Sequence, residues 1–455
     1  MSIFDQIKRF FTPERPLGKG MFQYRTPPNA PNRFRMHLRI DQDGTGVLVI
    51  NAAKVLHLNQ TAAEMAKLII EEVPSEQAAR QIARRYRVKR EQARKDYDDL
   101  KDKIFLLGST DEICPITYLD VQRIDPFQTP ASAPYRMDFA LTYACDNNCG
   151  HCYVGRPRDF PTMGVEEWKR VIDRCWEVGI PHICFTGGEA TLYPGLRELI
   201  EYAEDVGLVT GLLTNGRRLA NRAYLDGLLQ AGLDHIQITL ESHNPAVHDE
   251  MVCAQGAWAE TVEGIKNSVA ADVYLMTNTT LTDLNAPTIE ETIDFIAGLG
   301  VRTVACNGLI FAGKGRDVGI GIPEHDLEPI MARVQGRAKA HDLRLIWYTP
   351  TRYCEFNPLE HDLGVKGCSA ARYNMCVEPN GDVLPCQSYF QSMGNILRDP
   401  WPSIWDSALA NHIRSRAWLP EQCRTCPDKE LCGGGCPLYA AEGEYQCRDS
   451  QNTAG

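Results

Sequence analysis

The sequence predicts an α/β fold: a partial (β/α)6 TIM-type barrel between an N-terminal winged-helix-like α+β unit and a C-terminal Cys-rich domain. The barrel is predicted by a theme repeated from about residue 135 to 315, in which a helical pattern ends in glycine and an apolar strand follows at once. The flanking units are predicted by two further observations. One is a hairpin pattern followed by three helical patterns near the start of the chain. The other is a crowding of Cys, Pro and Gly after residue 350, where long periodic helices stop.

The first unit covers residues 35–110, after an extension over 1–34 whose first residues, Met1 to Phe11, have an amphipathic pattern. Strands are expected at 35–40 and 46–51 around the turn Asp41-Gln42-Asp43-Gly44. Helices are expected at 61–72, at 75–85 with Ser75 as N-cap, and at 89–104. Residues 111–134 hold Pro115, Pro126, Pro130 and Pro134 and read as a linker.

In the barrel region, 135–349, the helix-to-strand joints are Gly179, Gly207, Gly232 and Gly300. Strands are expected at 136–142, 182–186, 209–214, 235–240, 273–280 and 303–309, parallel and joined by right-handed crossovers. Chemistry in such a barrel belongs at the C-terminal strand ends.

The chain has 455 residues, 44% of them apolar, and a formal net charge of −11. That balance argues against a nucleic-acid partner, which needs surplus Lys and Arg. No stretch has the length and apolarity of a membrane span, and no secretory signal pattern opens the chain, so a cytoplasmic location is expected. The 17 cysteines are odd in number and clustered, which suits metal or cluster binding rather than a disulfide framework.

Cys145, Cys149 and Cys152 form a CxxxCxxC array directly after the first barrel strand, followed by Tyr153. Three thiolates on one loop can hold three irons of a [4Fe–4S] cluster and leave the fourth open. Zinc with His151 as fourth ligand is the alternative. Cys114, Cys175, Cys184, Cys253, Cys306 and Cys354 have no paired spacing, and most are expected to be small buried apolar groups. Eight cysteines near the C-terminus, Cys368, Cys376, Cys386, Cys423, Cys426, Cys432, Cys436 and Cys447, suit two four-cysteine clusters or two zinc sites.

The CxxxCxxC loop followed by an aromatic, at the end of the first strand of a (β/α) domain, resembles the radical S-adenosylmethionine (SAM) superfamily. Gly187-Gly188-Glu189, Thr214-Asn215-Gly216, Thr239 with Glu241, and Asn278 with Thr280 and Asn285 fall at later strand ends, as the family's motifs do. The resemblance implies SAM chelated to the open iron and cleaved reductively. It also implies SAM contacts by Tyr153, Gly187, Gly188, Glu189, Asn215, Thr239, Glu241 and Asn278.

The spacing Cys423-x2-Cys426-x5-Cys432-x3-Cys436, with Cys447 beyond and the turn glycine Gly381 before Cys386, resembles the SPASM domain. By that resemblance residues 350–455 hold two auxiliary clusters, one on Cys368, Cys376, Cys386 and Cys436, the other on Cys423, Cys426, Cys432 and Cys447. With the SAM cluster this makes three [4Fe–4S] clusters, and it implies a flavodoxin- or ferredoxin-type electron donor. In sulfatase-maturing members an acidic residue follows the cysteine after the turn. Here it is Gln387, which argues against that activity.

Residues 35–110 resemble the PqqD-like fold through Leu58-Asn59-Gln60-Thr61, Ser75-Glu76, Tyr86-Arg87-Val88 and the helix near 96–107. That implies a precursor-peptide partner whose leader adds as a strand to a sheet edge. The rival is a DNA-binding winged helix using the basic run Arg80, Arg84, Arg85, Arg87, Lys89, Arg90, Arg94 and Lys95, and the plainest alternative is a solvated charged face.

The sequence thus reads as an enzyme, a radical SAM oxidoreductase or maturase that modifies a ribosomal peptide by hydrogen-atom abstraction. Tetrapyrrole or other small-molecule chemistry, or a non-enzymatic cluster-bearing regulator, are the alternatives. Tyr348, Tyr353 and Glu355 are further pocket candidates, each as well read as core or surface.

Overall fold

The alternating apolar residues Met36, Leu38 and Ile40 meet Leu48 and Ile50 across an antiparallel hairpin, and burying that face builds the N-terminal unit. A computed structural model describes residues 17–109, except 28, 31–33 and 53, and residues 131–440, except 272. The chain forms two compact units, one from residues up to 124 with 175–181, the other from 125–174 with 182–455.

The first unit is a four-stranded antiparallel sheet, in the order β1 (Gly20–Arg25), β2 (Arg35–Ile40), β3 (Gly46–Ile50) and β4 (Lys54–Leu58). Helices α1 (Gln60–Ile70), α2 (Ser75–Tyr86) and α3 (Arg90–Ser109) follow. Ile69, Ile82, Tyr97 and Leu107 complete the core over the hairpin. The Asn59 side chain caps α1 by accepting from the Ala62 amide at 2.9 Å.

Two strands here were not expected. β1 lies inside what reads as an N-terminal extension, and it pairs with β2 from Gly20↔Ile40 to Arg25↔Arg35. β4 runs almost straight into a helix, and its residues Lys54–Leu58 are uniformly half-buried, so no apolar–polar alternation stands out. Ser75 begins α2 rather than capping it; Pro74 takes the cap position, without a side-chain cap bond. Part of the basic run is neutralised within the unit, as in Arg85–Glu64 at 2.9 Å and the Arg90–Glu76 pair.

In the second unit the predicted strands appear as β5 (Arg136–Thr142), β6 (His182–Gly187), β7 (Val209–Thr214), β8 (His235–Thr239), β9 (Tyr274–Leu281) and β10 (Thr303–Gly308). A seventh, β11 (Arg344–Trp347), extends the parallel series. The C-terminal segment adds β12 (Asn374–Val377) parallel to β5, and β13 (Val383–Leu384) antiparallel to β12. The sheet order is β11-β10-β9-β8-β7-β6-β5-β12-β13, so β11 and β13 are its ends and the barrel is partial. Strand β10 is buried along its whole length, as parallel strands covered on both faces are.

Crossover helices are α4 (Val165–Val178), α5 (Leu196–Val206), α6 (Arg222–Gln230), α7 (Pro245–Val252), α8 (Ala257–Ala270), α9 (Ile289–Gly298) and α10 (Leu327–Ala340). Gly207 ends α5 with φ at 101°, its amide bonded to the Ala203 carbonyl at 3.0 Å. A side chain there would strain this left-handed stop. Among the described residues no helix is long and apolar enough to cross a membrane. Residues 110–130, most of the linker expected over 111–134, lie outside the described residues, as do the first helix pattern, Cys114 and Cys447.

Candidate active site at the strand ends

Strand β5 delivers the chain to a loop that carries Cys145, Cys149 and Cys152. The loop is tied down on several sides. The Asn148 and Gly150 amides donate to the Val252 and Met251 carbonyls at the end of α7, at 2.9 and 3.1 Å. Arg217 donates to the Asp146 carbonyl at 2.8 Å, and Lys314 to Asn148 Oδ1 at 2.6 Å. Gly187 and Gly188, at the end of β6, come so close that a Cβ would lie 2.1 Å from the Thr142 carbonyl oxygen and 2.5 Å from that of Ala144. Only glycine permits that approach.

Burial pushes the Cys145 thiol up to about 11 and Cys149 well above its ordinary value, and Cys149 also feels the charges of Glu241, Cys152 and Cys145. Buried thiolates gathered in this way need a cation to hold them. The main-chain amides point the same way. Asn147 donates to Cys145 Sγ at 3.4 Å, and Gly434 to Cys432 Sγ at 3.4 Å. Ala370, Ser388 and Leu438 donate likewise to Cys368, Cys386 and Cys436. In each case the amide two residues on faces the sulfur, a donor set that suits a metal-bound thiolate.

Cys368, Cys376, Cys386 and Cys436 come together. Cys368 feels Cys436 and Cys386, and Cys376 feels Cys386; burial is the leading cause of each upward shift. Cys423, Cys426 and Cys432 form a second group. The Tyr353 amide donates to Cys432 Sγ at 3.3 Å. Of the unassigned cysteines, Cys175, Cys184 and Cys306 are buried as expected. Cys253 is exposed, in the left-handed cap that ends α7, and Cys354 is exposed and disulfide-bonded, so neither is a free core thiol.

One cavity of about 570 Å³ is faced by both cysteine groups: Cys145, Cys149 and Cys152, and also Cys368, Cys386 and Cys436. Tyr153, Gly187, Gly188, Asn215, Thr239, Glu241 and Asn278 line it as well. Glu189 does not. Its Oε1 accepts from the Thr191 amide at 3.0 Å and from the Thr191 and Thr214 hydroxyls at 2.7 Å each, and its Oε2 from the Asn215 amide at 2.8 Å. Four donors hold the carboxylate, which ties Thr214 and Asn215 at the neighbouring strand end.

His151 Nε2 is taken by Glu241 Oε1 at 2.9 Å. Burial alone would lower the His151 pKa, but the Glu241 charge and hydrogen bond outweigh it and raise it. Glu241 Oε2 in turn accepts from the Thr280 amide at 2.8 Å, and Asn285 Nδ2 donates to the Glu241 carbonyl at 2.8 Å. Desolvation, and after it the charges of Cys152 and Cys376, raise the Tyr153 phenol well above its ordinary value. Of the other pocket candidates, Tyr348 lines the cavity, whereas Tyr353 and Glu355 do not.

Sequence reasoning did not find Arg136, Asn307 or Gln387 as lining residues, nor the cluster of Tyr143, Arg156 and Glu378. Arg156 and Glu378 are far apart in sequence, and nothing local signals their pairing. Gln387 Oε1 is buried without a hydrogen-bond partner, and the residue faces the cavity.

The Radical SAM superfamily model matches residues 139–296, the SPASM iron–sulfur cluster-binding domain matches 368–427, and the PqqD model, of coenzyme PQQ synthesis protein D, matches 46–103. The chain thus carries, in order, a PqqD-like, a radical SAM and a SPASM iron–sulfur domain. It is an enzyme, and its family domains are those of an iron–sulfur protein that uses SAM.

Among curated relatives, the PqqA peptide cyclase of Rhizobium meliloti is 28% identical over 319 residues, covering 68% of this chain and 83% of the relative. The AdoMet-dependent heme synthase of Methanosarcina barkeri is 27% identical over 332 residues, covering 69% of this chain and 95% of the relative. Among solved structures, Streptococcus suis SuiB bound to its precursor peptide SuiA superposes with a TM-score of 0.66 at 16% identity. It covers 90% of this chain and 95% of that one. This radical SAM enzyme therefore shares the SuiB fold over most of its length.

Proposed function

We propose that this radical SAM enzyme modifies a ribosomally synthesised peptide, bound by residues 35–110 and reacted in the barrel cavity. The observation that carries the proposal is a single cavity faced both by the three-cysteine loop and by the four-cysteine group, in a chain that also has a PqqD-like unit. Residues 135–349 are then the SAM core and residues 350–455 the auxiliary-cluster domain.

Three [4Fe–4S] clusters are assigned. Cys145, Cys149 and Cys152 would hold the first, Cys368, Cys376, Cys386 and Cys436 the second, and Cys423, Cys426, Cys432 and Cys447 the third. When bound, the first cluster supplies the electron, received from a flavodoxin- or ferredoxin-type donor, that cleaves SAM so that the fragment abstracts a hydrogen atom from the peptide. The protein positions the reactants. Gly187 and Gly188 bring main chain to SAM, Asn215, Thr239, Glu241 and Asn278 offer polar contacts, and Tyr153 closes the wall beside Cys152.

The leader of the peptide adds as a strand to β4. That strand is an edge of the four-stranded sheet, and its residues are half-buried. SuiB, which shares the fold, was solved with a precursor peptide bound.

A tetrapyrrole substrate is the second reading, favoured by the match to 95% of the heme synthase. Anaerobic full-length enzyme with SAM and a reductant tests both. The proposal predicts binding of a short peptide encoded beside its gene and a change in that peptide's mass. Conversion of a tetrapyrrole with no peptide bound would replace it with the second reading.

A further inference from the structure

Near the N-terminal ends of the strands, beside Arg136, three ligand-type side chains converge. His182 opens β6, Cys184 follows two residues on along the same face, and His235 opens β8. His182 Nε2 lies 2.8 Å from His235 Nε2 and 3.3 Å from Cys184 Sγ. All three atoms fall within 4.8 Å of one another. None of the three belongs to the cysteine arrays or to the SAM contacts.

Strand β7 stands between β6 and β8, so the convergence needs a gap. Gly211 provides it. It is in register with Cys184 on one side and with His235 on the other. A Cβ at Gly211 would lie 2.2 Å from His235 Cε1, 2.4 Å from His235 Nε2 and 2.7 Å from Cys184 Sγ. The missing side chain is what lets His235 reach across a strand. Next in the same row, Asp138 is in register with Cys184. Its carboxylate is paired with Arg136 at 2.9 Å, so the guanidinium beside the cluster is already neutralised.

We propose that His182, Cys184 and His235 bind a zinc ion that ties β6 to β8 across Gly211. Two imidazole nitrogens and one thiolate are a ligand set that zinc favours. Tetrahedral bonds of about 2.0–2.1 Å to nitrogen and about 2.3 Å to sulfur set the ligand atoms about 3.4 Å (N–N) and about 3.6 Å (N–S) apart. The His182–His235 spacing has to open by about 0.6 Å and the His182–Cys184 spacing by about 0.3 Å, and the His235–Cys184 pair already lies within 4.8 Å, so side-chain torsions suffice. Binding displaces the Cys184 thiol proton and breaks no other covalent bond. Three protein ligands leave the fourth tetrahedral position to a water. The site lies at the N-terminal ends of the strands, where side chains serve stability, so its role is to tie the barrel together.

The test is metal analysis of the full-length enzyme, purified without oxygen from zinc-supplemented cells and washed with a chelator. The proposal expects about one zinc per chain, and zinc-edge X-ray absorption showing one sulfur, two histidine nitrogens and one water oxygen. Cys184→Ser and His235→Gln lose the zinc and keep the iron, whereas Cys306→Ser, at a buried thiol elsewhere in the barrel, keeps both. Wild-type enzyme without zinc would overturn the proposal and leave a hydrogen-bonded core cluster. So would zinc surrounded by three or four sulfurs, which would place it on the iron-site cysteines. The absorption measurement needs only wild-type protein, so poor folding of a variant does not remove the test.

Discussion

Arg156 and Glu378 form a two-pronged ion pair, with Nε to Oε1 at 2.8 Å and Nη2 to Oε2 at 3.0 Å. The Tyr143 hydroxyl donates to the same Oε1 at 3.0 Å. Tyr143 and Arg156 flank the three-cysteine loop, and Glu378 follows the strand that carries Cys376. The pair therefore sets the two cysteine groups around the cavity relative to each other. The planar fork of Arg matches a carboxylate with two parallel bonds, which Lys cannot do.

Removing one partner tests the joint. The Glu378 side chain is fully buried, so Arg156→Ala leaves a buried carboxylate with Tyr143 alone. The expected cost is about 2 kcal/mol, moderated because the Arg156 side chain is 29% exposed and water can replace part of it. Anaerobic thermal unfolding reads it as a lower Tm, and Arg156→Lys should recover only part. An unchanged Tm in Arg156→Ala would show that the pair does not hold the loop.

Glu189 acts through Thr214 and Asn215. Glu189→Ala strands four donors, and the strand end that lines the cavity loosens. SAM binding should weaken by about tenfold or more, the equivalent of at least one hydrogen bond's free energy. The readout is the KM for SAM in peptide-free cleavage. Glu189→Gln, which keeps one acceptor oxygen, should fall between. A KM unchanged in Glu189→Ala would contradict the positioning role.

Substituting Cys145, Cys149 and Cys152 together by Ala should remove one cluster and spare the others. Iron should fall from about twelve to about eight atoms per chain. SAM cleavage should vanish while the visible absorption of the remaining clusters persists. Iron that does not fall would mean that these cysteines hold none.

Neighbouring residues of an edge strand alternate between inward and outward amides. Of Val55→Pro and Leu56→Pro, one removes an amide on the outer edge of β4 and one an amide bonded to β3. The first should abolish peptide binding without lowering Tm, and the second should destabilise the unit. Peptide binding retained in both variants would rule out strand addition at β4.

Long periodicities were legible. Each glycine joint marked a helix end, and the six strands expected between 136 and 309 appear within a residue or so of their bounds. The hairpin of β2 and β3 was clear because β2 alternates, β3 is a short apolar run, and the turn residues Asp41 to Gly44 stand between them. Short elements were not. β11 has four residues, and β12 is the four-residue stretch Asn374–Val377 inside a cysteine-rich segment that shows no strand period. At the site, cysteine spacing and strand-end position were enough to name residues that line one cavity. What could not be read was orientation. Glu189 occupies the expected position, but nothing local shows that its carboxylate takes donors from Thr191, Thr214 and Asn215. Contacts joining residues far apart in sequence, such as Arg156 with Glu378 and His182 with His235, leave no local pattern.

The most direct measurement is mass spectrometry of one anaerobic reaction containing full-length enzyme, SAM, a reductant and the peptide encoded beside its gene. The account predicts that 5′-deoxyadenosine forms in step with a peptide of altered mass, and that both fail in the Cys145, Cys149, Cys152 variant. Formation of 5′-deoxyadenosine with every such peptide unchanged, and none of them bound, would contradict peptide modification.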